Sequence, residues 1–300
     1  MARITLLDGG VGHEIVTRAG HADRPLWATG AMADTPGLAE AVHRDYFAAG
    51  ATVATANTYA LLPDRLMPEG LGNRLAEWRA MALEEARAAR DAHGAGRVAA
   101  AIGPVRGSYR PELFPDHATA LAEYSEAIAA FAPDSDVLIF ETVASLAHLH
   151  AAQEAARTTA RPVWIAVTVS DTDGTRLRSG EPVAEAARLL AENPAAAALV
   201  NCSAPEAIGP ALDLLGDCGK PIGAYANAFA EITEAFLQPR PTVDALPERR
   251  DITPARYAAH ALDWVDRGAT LVGGCCATGP AHIAATAEAL RDAGHVLATP

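Results

Sequence analysis

The sequence predicts an α/β fold, a single-domain (β/α)8 TIM barrel that spans residues 1–300. Eight short apolar runs alternate along the chain with eight segments of helical pattern, which is the order of elements in a barrel. The chain has 300 residues, half of them hydrophobic, and this is enough to bury one large core. Because no linker, repeat or low-complexity tract divides the chain, we expect one domain.

The apolar runs are predicted to be parallel strands. Each run is short and mostly uninterrupted, and Gly, Pro, Asn or Asp residues bound it, as expected of strands that are buried on both faces. The predicted strands are Ile4–Leu7, Thr52–Ala56, Val98–Ile102, Val137–Phe140, Val163–Val169, Ala197–Val200, Pro221–Tyr225 and Thr270–Val272.

The segments between the strands carry helix start and stop signals. Thr253 followed by Pro254 is a capping residue with a first-turn proline, and Gly268 follows the predicted end of that helix. The predicted helices are Leu38–Ala49, Asn73–His93, Pro115–Phe131, Leu146–Thr158, Val183–Glu192, Glu206–Leu215, Pro254–Arg267 and Pro280–Ala293.

A doubly wound open sheet is the alternative fold. Against it, the glycine-rich turn from Asp8 to Gly12 lacks the G-x-G-x-x-G spacing of a dinucleotide-binding fold. Two connections are predicted to be long loops, Ala19–Gly37 and Ala226–Asp251. Long ordered loops at the active face of a barrel commonly build or cover a site.

Composition excludes several classes of partner. The formal net charge of −13 argues against a nucleic-acid or anionic membrane surface. We find no signal peptide and no apolar run of transmembrane length, and four cysteines without a secretory signal suit a reducing cytoplasm. We therefore expect a cytoplasmic protein with small-molecule partners; the sequence carries no signal for an oligomeric state.

Polar residues follow the carboxyl ends of the predicted strands, where barrels place their active sites. The opposite strand ends start with residues such as Thr52, Pro162 and Pro221, which carry no comparable chemistry. The residues at the carboxyl ends are Asp8, Asn57, Tyr59, Glu141, Thr142, Ser170, Asp171, Asn201, Cys202, Asn227, Cys275 and Cys276.

Three of these residues predict a zinc site. Adjacent cysteines such as Cys275 and Cys276 seldom form a disulfide with each other, because the ring is strained. Cys202 ends the sixth strand, and in a closed barrel it comes within reach of the pair. Three thiolates and an open fourth position suit a Zn²⁺ that binds substrate. The alternative is that these cysteines only pack in the core; Cys218, before the seventh strand, is expected to do so.

The chain resembles the zinc-dependent homocysteine S-methyltransferases, stand-alone S-methylmethionine or betaine type, over nearly its whole length. The resemblance is carried by the motifs Asp8-Gly9-Gly10, Glu141-Thr142, Asn201-Cys202 and Gly273-Gly274-Cys275-Cys276. It implies that homocysteine binds as a thiolate at the zinc and that Asp8 and Glu141 bind its ammonium group. Backbone N–H groups around Gly9 and Gly10 would take its carboxylate, and Asn201 would lie beside the substrate.

The resemblance further implies that the methyl donor is a small onium compound. Trp27 and Tyr59 are the aromatic candidates for holding its positive charge, with Asn57 beside them. The segment around Trp27 is similar to that of the S-methylmethionine enzymes; betaine, dimethylsulfoniopropionate and S-adenosylmethionine are the alternative donors. His13 replaces a common threonine. It could be a surface residue, contact the substrate or form a hydrogen bond across the rim, and we favour the last.

Two other functions stay open. The same chemistry could act on selenohomocysteine or another small thiol as the acceptor. A different class of protein, a zinc-storing or redox-sensing barrel, would use the three thiols for reversible oxidation. Zinc content and methyl-transfer activity distinguish these hypotheses.

Overall fold

Eight parallel strands form a closed barrel in the computed structural model, which describes residues 1–20, 26–192, 194–230 and 246–299. Neighbouring strands pair in chain order from β2 to β8, and β8 pairs with β1. A bridge between Leu7 and Val53 and a 2.6 Å hydrogen bond from the Thr52 N–H to the Leu6 carbonyl join β1 to β2. The strands are β1 Arg3–Leu6, β2 Val53–Ala56, β3 Arg97–Ile102, β4 Val137–Val143, β5 Val163–Val167, β6 Ala197–Asn201, β7 Ile222–Ala226 and β8 Ala269–Gly274.

Each predicted strand overlaps an observed one, so the barrel prediction is confirmed and the open sheet is excluded. That the domain extends over residues 1–300 stays a prediction. A short ninth strand, β9 at Val296–Leu297, pairs with the start of β1 outside the barrel and was not predicted.

The eight predicted helices are also present, and the described residues contain three further α-helices that were not predicted. Residues Ala19–Gly37 do not form one long loop, because helix α2 lies within this stretch and buries Ala28, Ala31 and Met32 at helical spacing. The helices are α1 Val11–Ala19, α2 Trp27–Asp34, α3 Leu38–Ala48, α4 Pro63–Leu66, α5 Leu75–His93, α6 His117–Phe131, α7 Leu146–Ala156, α8 Val183–Ala191, α9 Pro205–Leu215, α10 Pro254–Asp266 and α11 Pro280–Asp292. In the described part of the chain, none of them has both the length and the apolar character to cross a bilayer.

The inside of the barrel is filled by alternate residues of the strands, since side chains on a strand alternate between its two faces. Val137 and Ile139 of β4 and Ala197 and Leu199 of β6 belong to this interior cluster. Continuing the same alternation places Glu141 and Asn201 on the inward face. Cys275 packs against the cluster as well. The chemistry-bearing residues therefore lie above a packed apolar floor.

The turn after β1 packs closely on the turn after β8. A Cβ atom added to Gly9 would lie 2.2 Å from the Thr278 carbonyl oxygen and 2.9 Å from the Tyr46 ring. The same Thr278 oxygen accepts hydrogen bonds from the Gly10 N–H at 2.8 Å and the Tyr46 hydroxyl at 3.0 Å. This close approach requires glycine, and it sets the position of the cysteine pair in the β8 turn.

We expect Gly9→Ala to lower the free energy of unfolding by about 1–3 kcal/mol, because the added methyl group meets backbone that cannot rotate away. Denaturant unfolding measures the change. Gly216→Ala is the matched control, since no atom lies within 4 Å of the added Cβ, and it should change stability by no more than about 0.5 kcal/mol. Equal stability of the two variants would contradict the requirement for glycine.

Candidate active site and metal centre

Three cysteines converge at the carboxyl ends of β6 and β8. The sulfur atoms of Cys202, Cys275 and Cys276 all lie within 4.8 Å of one another. Cys202 adopts a positive φ of 49°, which is uncommon for a residue other than glycine and which turns the chain sharply at the end of β6. Its N–H donates to the Tyr225 carbonyl at 3.2 Å. The predicted grouping of these three side chains is therefore present.

The cysteine cluster fits a metal ion in its donor chemistry. Zinc–sulfur bonds are about 2.3 Å long, so two ligands of one ion lie within about 4.6 Å of each other. Hydrogen bonds from Cys275 and Cys276 hold the pKa of Cys202 well below its usual value. The hydrogen bonds that Cys275 makes with Cys202 and Cys276 hold the pKa of Cys275 well above its own usual value. The cluster thus stabilises one negative charge and opposes a second, and a bound cation would relieve that opposition.

Cys218 is separate from this cluster. It is buried in a turn between α9 and β7, at the opposite end of the barrel. This agrees with the expectation that it only packs in the core.

Two carboxyl groups lie in the same cavity as the thiols. Asp8 is buried, and its two oxygens accept from the Thr55 N–H at 2.6 Å and the Thr55 hydroxyl at 2.7 Å. Burial nevertheless raises the pKa of Asp8 to about 7. Glu141 keeps some exposure to the cavity, but desolvation, with the charge of Cys202 next, raises its pKa to about 8.

Neither acid has a cationic partner among the described side chains that surround it. His43 is the nearest titratable base to Asp8, with its Nδ1 atom 3.9 Å from the Asp8 Oδ2 atom. Complete burial lowers the pKa of His43 to about 4, so this imidazole is neutral near pH 7. The two carboxyl groups therefore form a site that favours a cation.

The glycines after β1 line the cavity, but one predicted role does not fit. The Gly10 N–H already donates to the Thr278 carbonyl, so the expectation that it binds a substrate carboxylate is not met in this structure. Helix α1 begins directly after Gly10, and Gly12 and His13 of its first turn also line the cavity. The first N–H groups of a helix have no partner within the helix and favour an anion.

The two predicted asparagines have different surroundings. The Asn201 side-chain oxygen accepts from the Thr142 N–H at 3.0 Å, and its amide nitrogen is buried without a partner in the described residues. This contact fixes an irregularity in β4, where Thr142 has a φ of 59°. Asn57 lines the cavity and donates to the Ala28 carbonyl at 3.2 Å, which anchors α2.

The predicted aromatic residues, Trp27 and Tyr59, both line the cavity. Trp27 opens α2 with a φ of 44°, and its indole Nε1 atom is buried without a partner in the part of the chain described. Trp27 packs against the apolar cluster of Phe229 and Leu246, which also touches Cys276. The Tyr59 hydroxyl lies 2.7 Å from the Ser108 hydroxyl. Both rings thus lie in the cavity that holds the cysteine cluster.

Other rim residues hold the loops in place. His13 pairs with Glu248 at 2.9 Å, as the expected hydrogen bond across the rim. The Asn227 side-chain oxygen accepts from the Phe229 N–H at 3.3 Å. Of the loop Ala226–Asp251, residues 231–245 lie outside the described residues. Asp171 pairs with Arg178, and the Ser170 hydroxyl contacts the backbone of its own turn.

The cavity has a volume of about 380 Å³ and extends beyond the predicted residues. Tyr225 of β7 lies in it, and strand alternation in β7 was the signal that could have identified this residue. Tyr109 and Ser108 lie in the loop after β3, where no strand register indicates their direction. The cavity is also lined by Arg106 of this loop and by Asp64, Arg65 and Glu69 of the segment that follows β2.

Comparison with known proteins extends the likeness over the whole barrel. A family model described as homocysteine S-methyltransferase matches residues 5–290. The homocysteine S-methyltransferase of Escherichia coli K12 is 30% identical, with 94% of each protein covered, and homocysteine S-methyltransferase YbgG of Bacillus subtilis is 30% identical, with 96% of each covered. The metallated form of the homocysteine methyltransferase MmuM from E. coli matches with a TM-score of 0.77 at 27% identity, over 95% of this chain and 96% of that one.

Proposed function

Since this chain belongs to the homocysteine S-methyltransferase family, we propose that it moves a methyl group from S-methylmethionine to the sulfur of homocysteine. The homocysteine sulfur attacks the methyl carbon, the bond from that carbon to the donor sulfonium breaks, and the donor leaves as a neutral thioether. With S-methylmethionine as the donor, both products are methionine. The observation that carries the proposal is one cavity lined by three thiols and by Asp8 and Glu141, whose pKa values are raised by desolvation.

We propose Zn²⁺ as the metal that Cys202, Cys275 and Cys276 hold. Three sulfur donors with room for a fourth suit zinc, and a bound zinc would supply the positive charge that lowers the pKa of the homocysteine thiol. The four cysteines of the chain are all free thiols, and we place the reaction in the cytoplasm, where such thiols stay reduced.

Homocysteine is proposed to bind with its ammonium group between Asp8 and Glu141. Both carboxyl groups have raised pKa values because burial opposes their negative charge, and an ammonium group would offset that opposition. The Thr55 hydroxyl and N–H keep the Asp8 carboxylate in a fixed orientation. The start of α1 then provides N–H groups for the substrate carboxylate, and Gly9 and Gly10 shape the turn before this helix. Asn201 would lie beneath the bound substrate, at the floor of the cavity.

Trp27 and Tyr59 are proposed to receive the sulfonium. The faces of Trp27 and Tyr59 stabilise a cation that has no hydrogen to donate, and Asn57 keeps α2, and hence Trp27, in position. Farther along the cavity, the Asp64 side chain is 2% exposed. In the described residues, its Oδ1 atom and the Nε atom of Arg65 have no hydrogen-bond partner, while its Oδ2 atom accepts from the Arg106 N–H and lies 3.7 Å from the Arg65 Nε atom. A carboxylate and a guanidinium side by side suit a zwitterionic amino-acid head group.

This head-group site favours S-methylmethionine over the other donors. Betaine and dimethylsulfoniopropionate carry a carboxylate but no protonated amine in addition to their onium group, so they would leave the Asp64 Oδ1 atom without a hydrogen-bond donor. S-adenosylmethionine has the head group and a nucleoside in addition, which must share the 380 Å³ with homocysteine. Selenohomocysteine as the acceptor would use the same contacts.

The donor assay tests this proposal. Purified enzyme is incubated with homocysteine and each donor in turn, and consumption of homocysteine is measured; S-methylmethionine is expected to give the fastest turnover. Asp64→Asn should raise the KM for S-methylmethionine about tenfold, because one charged contact is lost, with the KM for homocysteine unchanged. Asp91→Asn, at an exposed carboxylate on the opposite face, is the control.

Faster turnover with betaine or dimethylsulfoniopropionate would contradict the donor assignment. Zinc-loaded protein that turns over none of the donors would contradict methyl transfer and favour the storing or sensing function instead.

A further inference from the structure

We propose that Arg178 is a positioning residue that holds Cys202 in the geometry of the metal site. This inference rests on the proposed metal-binding role of the three cysteines. Arg178 lies in the loop between β5 and α8, and its side chain is 13% exposed. Its Nη2 atom donates to the Cys202 carbonyl at 3.3 Å and to both oxygens of Asp171 at 2.9 Å.

Cys202 needs such support because its backbone conformation is uncommon for a residue with a side chain. Its φ of 49° lies in the left-handed region, and this conformation directs the residue away from the line of β6. The Cys202 carbonyl oxygen accepts from two side chains, the Thr168 hydroxyl at 3.2 Å and Arg178. Fixing this carbonyl fixes the peptide that carries the thiol.

Asp171 completes a clamp around the same turn. One of its oxygens accepts from the Ala204 N–H at 2.8 Å, two residues after Cys202, while both oxygens accept from Arg178. We call Thr168, Asp171 and Arg178 the Cys202 clamp. The loop after β5 thereby holds the Cys202 carbonyl and the Ala204 N–H, which both lie on the carboxyl side of the cysteine.

Arg178 also acts on the cavity side of the cysteine. Its guanidinium lies over the Tyr109 ring, 4.9 Å from the ring centroid. Tyr109 and Cys202 line the same cavity. Arg178 therefore contacts the Cys202 carbonyl directly and also holds a ring that lines the cavity beside the cysteine cluster. A planar guanidinium can stack and donate from the same group at once, whereas the ammonium of lysine cannot.

The tests use the full-length chain with zinc and a competing chelator, so that affinity for the ion alone is measured. Arg178→Gln is expected to weaken zinc binding about 10- to 100-fold, the usual cost of losing a group that orients a metal ligand. Arg178→Lys keeps a cation for Asp171 and should show a smaller loss. Arg176→Gln is the matched control, since Arg176 is exposed in the same loop and its side chain contacts Asp173 and Gly180 of that loop; its affinity should equal that of wild type.

Cobalt substitution gives a second readout. The visible absorption of Co²⁺ bound to Arg178→Gln should shift relative to wild type, because a displaced Cys202 changes the ligand field. Zinc affinity of Arg178→Gln within twofold of Arg176→Gln would overturn the inference, as would an unchanged cobalt spectrum. Should Arg178→Gln fail to fold, Arg178→Lys decides, and wild-type affinity in that variant overturns the inference. Wild-type protein that binds no zinc would instead overturn the proposed metal centre.

Discussion

Replacing Cys276 with alanine is expected to remove bound zinc and to reduce methyl transfer about 10³-fold, since a metal of this kind contributes several kcal/mol and each 1.36 kcal/mol is about a tenfold change in rate. The sulfurs of Cys202 and Cys275 would remain within reach of an ion. Two thiolates and a water hold zinc less tightly than three thiolates. Metal analysis of the purified protein and the rate of homocysteine consumption measure the two effects.

Cys218→Ala is the matched control for this substitution. Cys218 is also a buried free thiol, but it lies in the turn before β7, away from the rim. Its replacement should cost some packing energy and leave zinc content and turnover unchanged. Full methyltransferase activity in zinc-free Cys276→Ala would show that the reaction does not depend on the cysteine cluster.

The barrel was predictable because parallel strands that are buried on both faces appear in the sequence as continuous apolar runs. Val163–Val169 and Ala197–Val200 are such runs, and once the order of the strands is known their carboxyl ends share one rim. Cys202 and Cys275 are 73 positions apart in the sequence, yet topology alone brings them to strand ends of that rim that are separated only by β7. The grouping of the cysteines and the two acids was therefore accessible from the sequence.

The loops were less predictable, because tertiary contacts set their conformation. Tyr109 has a φ of 60° that no local motif requires, and its ring is held by Arg178 from a loop two strands away. Helices α1 and α2 were missed for a related reason. Each of these helices contains a glycine, which weakens the helical pattern in the sequence. The close packing of Gly12 against the Trp27 ring explains the glycine of α1, but only once the fold is known.

Asp8→Asn is expected to weaken homocysteine binding about 10²-fold and, at the same time, to stabilise the free protein at pH 8. The loss of affinity follows from removing one partner of a buried charge pair, which costs about 2–5 kcal/mol. The gain in stability arises because the substitution removes a buried charge from the free protein. Without substrate, the ionised Asp8 carboxylate is buried without a cationic partner among the described residues, and its neutral amide replacement has no charge to desolvate.

The sign of the pH dependence follows from the pKa values. The pKa of Asp8 is raised by burial from 3.8 to about 7, so between these values the folded state binds a proton that the unfolded state has released. Wild-type stability therefore falls as the pH rises through this window, by up to about 4 kcal/mol from this group. The amide of the Asp8→Asn variant does not titrate, and removing the charge at this position also lowers the repulsion that raises the pKa of Glu141.

The measurement is the difference in unfolding free energy between wild type and Asp8→Asn from pH 4 to pH 8, without homocysteine. We expect this difference to move in favour of the variant as the pH rises and to level off above pH 7. Asp45→Asn, at a carboxylate that is 54% exposed and pairs with Arg18, controls for the loss of one negative charge. A difference in unfolding free energy that does not change with pH would show that the protein itself stabilises the Asp8 carboxylate. The proposal that Asp8 is a preformed binding site for an ammonium group would then have no physical basis.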